Sequence, residues 1–346
     1  MRVLTRALVV VGIVATTLTA AGCSSPSSSD GSDELFPLIF QLNNPVNGVH
    51  AGFAAAVEEG FYTDAGLDVT LNPGGGSSLT AQMVASGVAK VGYADATATT
   101  QLIAQGAKMQ ILSTIYQSNP NEVIAFADSG INSIADLKGK TVGVPSPSSQ
   151  TTMLPLFLEA NGLTTDDLTL VNMAPTSLVQ ALLQNQVDAI LGSTETYQVQ
   201  LEDQTDRKLF TAMFSTNGVP TVSASIFAQT EYAEANPEVL AAFVKASLKG
   251  WEFASQNPDK AIDDVNTLAG AAADPLSAGE FQAILDGDLL CTGGAKFVGK
   301  AEPEQWVKTQ DLLSSVALLP EGTDPTIYYT YKYLPADADL QACPIK

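Results

Sequence analysis

The chain has 346 residues, 45% of them hydrophobic and only 15% charged, and its 37 acidic against 16 basic side chains give a formal net charge of −21 at pH 7. That balance excludes a nucleic-acid binder that works by neutralising phosphates, because such binding needs clustered Lys and Arg. A single histidine, His50, excludes a multi-histidine metal centre, and the length suffices for two lobes of ordinary size.

Arg2 and Arg6 precede an apolar run from Ala7 to Ala15 that is too short to span a bilayer, followed by Leu18-Thr19-Ala20-Ala21-Gly22-Cys23. A basic end, a short apolar stretch and small residues before a cut site read as a secretory signal over residues 1–22. Cys23 after Ala-Ala-Gly resembles a bacterial lipobox, which implies an acylated cysteine and an anchor in the membrane. The Leu of that pattern is replaced by Ala20, and an ordinary cut near Ala21 is the alternative. Residues 23–34, with the run SSPSSSDGSD, offer nothing to a core and read as a flexible tether. If Cys23 carries lipid, Cys291 and Cys343 remain, and outside the cytoplasm two leftover thiols are expected to pair; two free buried thiols are the alternative.

Leu38 to Leu42 reads as a strand, Asn43 to Gly48 as a polar loop, and the chain turns helical from about Val49, with Val49, Phe53, Ala56 and Val57 at helical spacing. Strand, loop and helix make half of a βαβ unit, whose loop is where ligands sit; Asn44 and His50 are the candidates there. His50, at a helix N-terminus, is expected to be neutral. After a strand from Leu67 to Leu71, Gly74-Gly75-Gly76 lacks the Lys of a phosphate loop. It reads instead as backbone that approaches a ligand, Gly75 among it, with Ser77 or Ser78 capping the next helix. Lys90 to Ala94 is a strand with Asp95 at its end, able to cap a helix or to accept from a ligand. Strands at about 109–115 and 122–127 are separated by Tyr116-Gln117-Ser118-Asn119-Pro120, which makes Tyr116 a candidate for stacking and Gln117 for hydrogen bonding.

A crossing into a second lobe is expected near 127–130. Ser133 and Asp136 have capping-box spacing before the strand Thr141 to Val144. The following loop, with Ser148, Ser149 and Gln150, repeats the loop-before-helix arrangement of the first lobe. Asn172 ends the next strand, and the strand from Val187 to Leu191 runs into Gly192-Ser193-Thr194-Glu195-Thr196-Tyr197. The chain is expected to return near 217–222 to a strand at 223–228. Asn236-Pro237 and Asn257-Pro258 each mark a helix start. Lobe 1 is thus 35–127 plus 222–346, and lobe 2 is 128–221.

The order His-Ala-Gly, a helix ending Glu-Glu-Gly-Phe-Tyr, and Ala-Gly-Leu-Asp-Val resembles the opening of substrate-binding proteins of ABC importers, in the nitrate/sulfonate/taurine and thiamine-pyrimidine-precursor branch. SGVAKVGYAD (86–95), IADLKGKTVGV (134–144), ALLQNQVDAILG (181–192) and the segment 236–262 resemble the same family in the same order. The resemblance implies an α/β fold of the periplasmic-binding-protein type II, two lobes joined by two hinge crossings around a cleft. It implies a monomeric receptor without cofactor or catalysis, whose partners are a small-molecule ligand and the ABC permease subunits. In that family an acidic or amide residue after the VDA strand touches the ligand, and Glu195 matches by position, with Tyr197 beside it. Apart from Arg2 and Arg6, the only arginine is Arg207, in a polar stretch. The bidentate clamp common to carboxylate and sulfonate receptors is therefore missing, which favours a neutral or weakly basic heterocycle. A nitrate, sulfonate or aromatic-acid receptor is the alternative, and a pyrimidine-precursor synthase-like enzyme or a ligand sensor is the alternative of another class.

Overall fold

A computed structural model describes residues 34–146 and 148–345. The expected signal, the lipidation site Cys23 and almost all of the tether lie outside them. Strands β1 (Phe36–Gln41), β2 (Leu67–Asn72), β3 (Val91–Ala94) and β4 (Met109–Thr114) alternate with helices α1 (Ala51–Glu58), α2 (Phe61–Asp64), α3 (Ser77–Ala85) and α4 (Ala96–Ala104). A 3-10 turn at Gly48–His50 leads into α1. Next come β5 (Asn121–Phe126), β6 (Thr141–Pro145), α5 (Ser149–Ala160), β7 (Thr169–Met173), α6 (Leu178–Leu183) and β8 (Ala189–Ser193). A π-helical turn at Thr194–Gln198, α7 (Val199–Gln204), β9 (Leu209–Met213) and β10 (Ser225–Gln229) follow. The chain ends in α8 (Thr230–Ala235), α9 (Pro237–Gln256), α10 (Pro258–Ala269), α11 (Ser277–Asp286) and α12 (Pro303–Ser315). Pro237 and Pro258 open their helices as the sequence predicts, where a missing N–H has no cost.

The strands form two mixed sheets, ordered β2-β1-β3-β10-β4 and β7-β6-β8-β5-β9. In each, the first three strands are parallel, and the strand arriving from the other sheet runs antiparallel beside them. Membership of β5 in the second sheet corrects the boundary read from sequence. β5 pairs with β8 and β9, so the first crossing is residues 115–120, not 127–130. The tyrosine-to-proline stretch that reads as a loop between neighbouring strands is therefore a connection between lobes. The return lies between β9 and β10, after Met213 and before Ser225.

The two crossings are hydrogen-bonded to each other: Ile115 N–H donates to Ala224 O (2.9 Å), Ser223 N–H to Tyr116 O (3.0 Å) and Asn119 N–H to Thr221 O (3.1 Å). One face of α12 holds both. Gln305 Nε2 donates to Gln117 O in the first crossing (3.0 Å), and four residues on, Thr309 Oγ1 accepts from Val222 N–H in the second (3.0 Å). These side chains are buried, so each bond replaces water that is not available there.

The first lobe's core centres on α1 against α9. A Cβ at Gly52 would fall 2.3 Å from the Trp251 ring, and one at Gly250 would fall 2.1 Å from Gly52 O, so only glycines allow these two helices to approach. Trp251, fully buried, packs edge-on against Phe53 and Tyr116. No helix among the described residues is long and apolar enough to cross a membrane.

Cys291 and Cys343 form a disulfide that closes a span of 52 residues around α12. A loop of that size removes about 4 kcal/mol of unfolded-chain entropy in the loop-closure account. Reduction, or the double variant C291A/C343A, is expected to lower the melting midpoint by several degrees in differential scanning calorimetry. An unchanged midpoint would show that the bridge restrains nothing.

Candidate functional site

The loop after β1 is fastened from beneath. Glu280 on α11 accepts from Gly48 N–H (3.0 Å) and from Asn47 Nδ2 (3.1 Å), and a Cβ on Gly48 would fall 2.0 Å from Ser277 O. His50 is fully buried, with Nδ1 3.0 Å from Asn47 Oδ1 and Nε2 2.9 Å from Asn43 Oδ1. Burial lowers its pKa to about 3, so the ring is neutral as expected. A neutral ring has a single N–H, so it donates to one of these two amide oxygens while its other nitrogen faces the second; both lie in the same loop, which His50 packs and organises. Asn44 and Gly75 are exposed at the rim, where Asn44 O accepts from Gly74 N–H (3.1 Å).

Asp95 resolves in favour of capping. Oδ1 accepts from Thr97 N–H (2.9 Å) at the start of α4 and Oδ2 from the Ser223 hydroxyl (2.8 Å), so both oxygens serve the fold. Ser77 does not cap α3, whose N-cap is Gly76; its hydroxyl oxygen accepts from Asp95 N–H (3.1 Å) instead. Tyr116 is 3% exposed, its ring in the core against Trp251 and its hydroxyl directed to Val49 O at 3.4 Å. Gln117 is likewise internal, with Nε2 donating to Thr114 O (2.8 Å).

In the second lobe, the Ser148 oxygen accepts from Thr151 N–H (3.2 Å) to cap α5 and its hydroxyl donates to Pro145 O (3.0 Å); Ser149 is the first residue of that helix. Gln150 Nε2 donates to Gly192 O (3.3 Å). Asn172 is exposed on β7, at the sheet edge, and is not brought near the other candidates' buried group.

Glu195 lies on the π-helical turn that follows β8, a rare geometry frequent at functional sites. It is 8% exposed, and Oε2 has no hydrogen-bond partner. Burial pushes its carboxyl up to about 7. Its charge bears on Tyr93 and Tyr116 from the first lobe, on Glu280, and on Glu122 and Tyr197 beside it. Glu122, on β5 opposite Gly192, is 1% exposed with Oε1 unpartnered, and burial reinforced by Glu195 raises it to about 8. The Tyr93 hydroxyl, also unpartnered, lies near that of Tyr116, and burial holds it well above the usual phenol range. Tyr197 is half-buried, with burial and Glu195 pushing it up to about 12. Unsatisfied polar atoms from both lobes thus converge between the sheets, each costing about 1–3 kcal/mol until something pairs with it. A groove of about 600 Å³, lined by Thr194, Gln198 and Val199 on one side and by Leu276, just before α11, and Gly279 of α11 on the other, borders the turn that carries Glu195.

The family model described as NMT1/THI5 like matches residues 47–261, more than half of the chain and the span that contains Tyr93, Glu122, Glu195 and Tyr197. The chain belongs to the NMT1/THI5-like family. It is 28% identical over 273 residues to the formylaminopyrimidine-binding protein of Halalkalibacterium halodurans, covering 77% of this chain and 81% of that protein. It is 25% identical over 299 residues to the riboflavin-binding protein RibY of Chloroflexus aurantiacus, covering 82% of each. The periplasmic aliphatic sulphonate binding protein SsuA of Escherichia coli shares the fold, with a TM-score of 0.67 at 16% identity over 86% of this chain and 99% of that one.

Within this NMT1/THI5-like chain, sequence reasoning named Glu195 and Tyr197 but not Tyr93, Glu122 and Glu280, the buried groups that couple to Glu195. The signal for Glu122 was present: a lone charge inside the apolar run NEVIAF of a central strand. Nothing in the SAGEFQ context distinguishes Glu280.

Carboxyls raised by burial make the free protein's stability pH-dependent. Glu195, Glu122 and Glu280 hold protons up to about 7, 8 and 8, whereas unfolded they release them near 4.5. The native state therefore binds more protons between these limits, and stability present below about pH 4.5 is lost as pH rises toward 8. Melting temperature of the ligand-free protein is expected to fall from pH 5 to pH 8.5, and to fall less in Glu122→Gln. Identical slopes for the two proteins would refute the assignment of Glu122.

Proposed function

We propose that this chain is the extracytoplasmic solute-binding receptor of an ABC importer, tethered to the membrane through lipid on Cys23, and that its ligand is a small amino-substituted heterocycle of the thiamine-pyrimidine-precursor type. One observation carries the ligand class: buried Glu195, Glu122 and Tyr93 present unpartnered oxygens between the lobes, and no Lys or Arg is buried among the described residues. Such a surface suits a ligand rich in N–H donors and weakly basic nitrogens, and opposes a nitrate or sulfonate, whose charge it would repel. Two relatives are named for binding a formylaminopyrimidine and riboflavin, both nitrogen heterocycles, which supports the same reading. The half-buried Tyr197 ring beside Glu195 takes the stacking role that sequence gave to Tyr116.

The receptor works without bond chemistry. It captures the ligand as a monomer, closes by movement about the paired crossings, and delivers it to the permease. Thermal denaturation against a panel tests the reading. 4-Amino-5-hydroxymethyl-2-methylpyrimidine at 100 times its dissociation constant is expected to stabilise by about 2.7 kcal/mol, while nitrate and alkanesulfonates leave the midpoint unchanged. Glu195→Ala is expected to weaken pyrimidine binding tenfold or more in calorimetry, the cost of about 1.4 kcal/mol for one lost polar contact. A shift with sulfonate and none with any pyrimidine would reverse the assignment.

A further inference from the structure

Glu195 and Glu122 occupy neighbouring elements of the second lobe, the π-helical turn and β5, and both reach the space between the sheets with one oxygen unpaired. The groups that face them are acidic or neutral. Tyr93 of the first lobe, Tyr116 of the crossing and Glu280 of α11 couple to Glu195, Glu202 of α7 couples to Glu122, Tyr197 lies on the turn itself, and Asp203 and Asp286 line the neighbouring groove. The strands flanking β5, with sequences AILGS and LFTAM, contribute no titratable side chain. No counter-charge is therefore at hand to hold Glu195 ionised, and the fold leaves the carboxyl to be neutralised by a proton.

A protonated carboxyl is a different recognition group from a carboxylate. It carries one donor and one acceptor side by side, which matches the edge of an amino-heterocycle, where a ring nitrogen accepts next to an exocyclic amine that donates. A carboxylate would set its lone pairs against that ring nitrogen. We propose that Glu195 is recognised as a carboxylic acid, its O–H donating to a ring nitrogen and its carbonyl oxygen accepting from the adjacent amino group, so that capture holds one proton in the complex. The proton lies between Glu195 and the ring nitrogen, and the count is the same whichever atom keeps it. Glu122 is the second acid, kept neutral by burial and by any charge on Glu195, so that the pair carries at most one negative charge near neutrality. This inference rests on the amino-heterocycle reading above and adds the protonation state to it.

The consequence is a proton-linked affinity of definite sign. Below about pH 7 the free receptor already carries the proton, while above it the proton must be taken from solvent. Isothermal titration of the full chain with 4-amino-5-hydroxymethyl-2-methylpyrimidine, from pH 6 to pH 9 in buffers of different ionisation enthalpy, reads both. Kd is expected to weaken by roughly a hundred-fold across that range, the tenfold per pH unit of a one-proton linkage. Uptake should approach one proton per ligand at the alkaline end. Glu195→Gln, whose amide offers the same donor and acceptor without titrating, is expected to bind with a Kd that changes by no more than about twofold over the same range. Glu122→Gln is expected to keep the one-proton slope. A Kd that is flat or tightens with rising pH in the wild-type protein overturns this inference alone. A slope lost in Glu122→Gln and kept in Glu195→Gln also overturns it. Absence of pyrimidine binding at every pH overturns the amino-heterocycle reading and this inference with it.

Discussion

Removing a carboxyl from water without a cation beside it is among the larger local costs a fold can carry, and the space between these two sheets contains that cost at Glu195 and again at Glu122. The rest of the interlobe surface is arranged in contrast to it. Asp95, His50, Gln150 and Asn119 also lie at or near that surface, and each spends its polar atoms on the fold. Glu195, Glu122 and Tyr93 keep an unpaired oxygen there, among other buried polar atoms without a partner such as Gln117 Oε1, Trp251 Nε1 and Asp264 Oδ2.

That set can be assembled only because the chain passes between the sheets and back. β5 delivers Glu122 to the second sheet at its first turn after the crossing, antiparallel to β8, so that it stands opposite Gly192. Gly192 is small enough for Tyr197 to pack where a Cβ would otherwise fall, 2.8 Å from the Tyr197 Cβ. From the first lobe, the parallel order of β1 and β3 places their loops at a shared sheet end, with Tyr93 on β3 turned inward and α11 closing from the side. Contacts such as the Thr97 hydroxyl to Met153 Sδ, 3.3 Å apart, join the lobes at the same surface.

Much of this was legible in the sequence. Alternating strand and helix patterns, the polar loops after β1 and β6, and the prolines opening α9 and α10 all stand where periodicity and capping chemistry put them. Periodicity reports which residues are buried but not which sheet a strand joins. For that reason β5, apolar at four of its six positions, was assigned to the wrong lobe, and the crossing was read as a loop. The same limitation governed the site. Residue type and loop position pointed to Asp95, His50 and Tyr116, yet nothing local reveals that Ser223 and Trp251 absorb Asp95 and Tyr116, since those partners are distant in sequence, while the partners of His50, Asn43 and Asn47, lie in its own loop. Glu195 was accessible because it follows a strand, whereas Tyr93 and Glu122 sit inside strands, where sequence patterns suggest only packing.

The bridge from Cys291 to Cys343 encloses α12, the helix whose Gln305 and Thr309 hold the two crossings. The bridge ties the tail at Cys343 to the segment after α11, where Leu289 O accepts from Gln117 N–H in the first crossing (2.8 Å), so the tail, α12 and that crossing are fastened into one covalent and hydrogen-bonded ring.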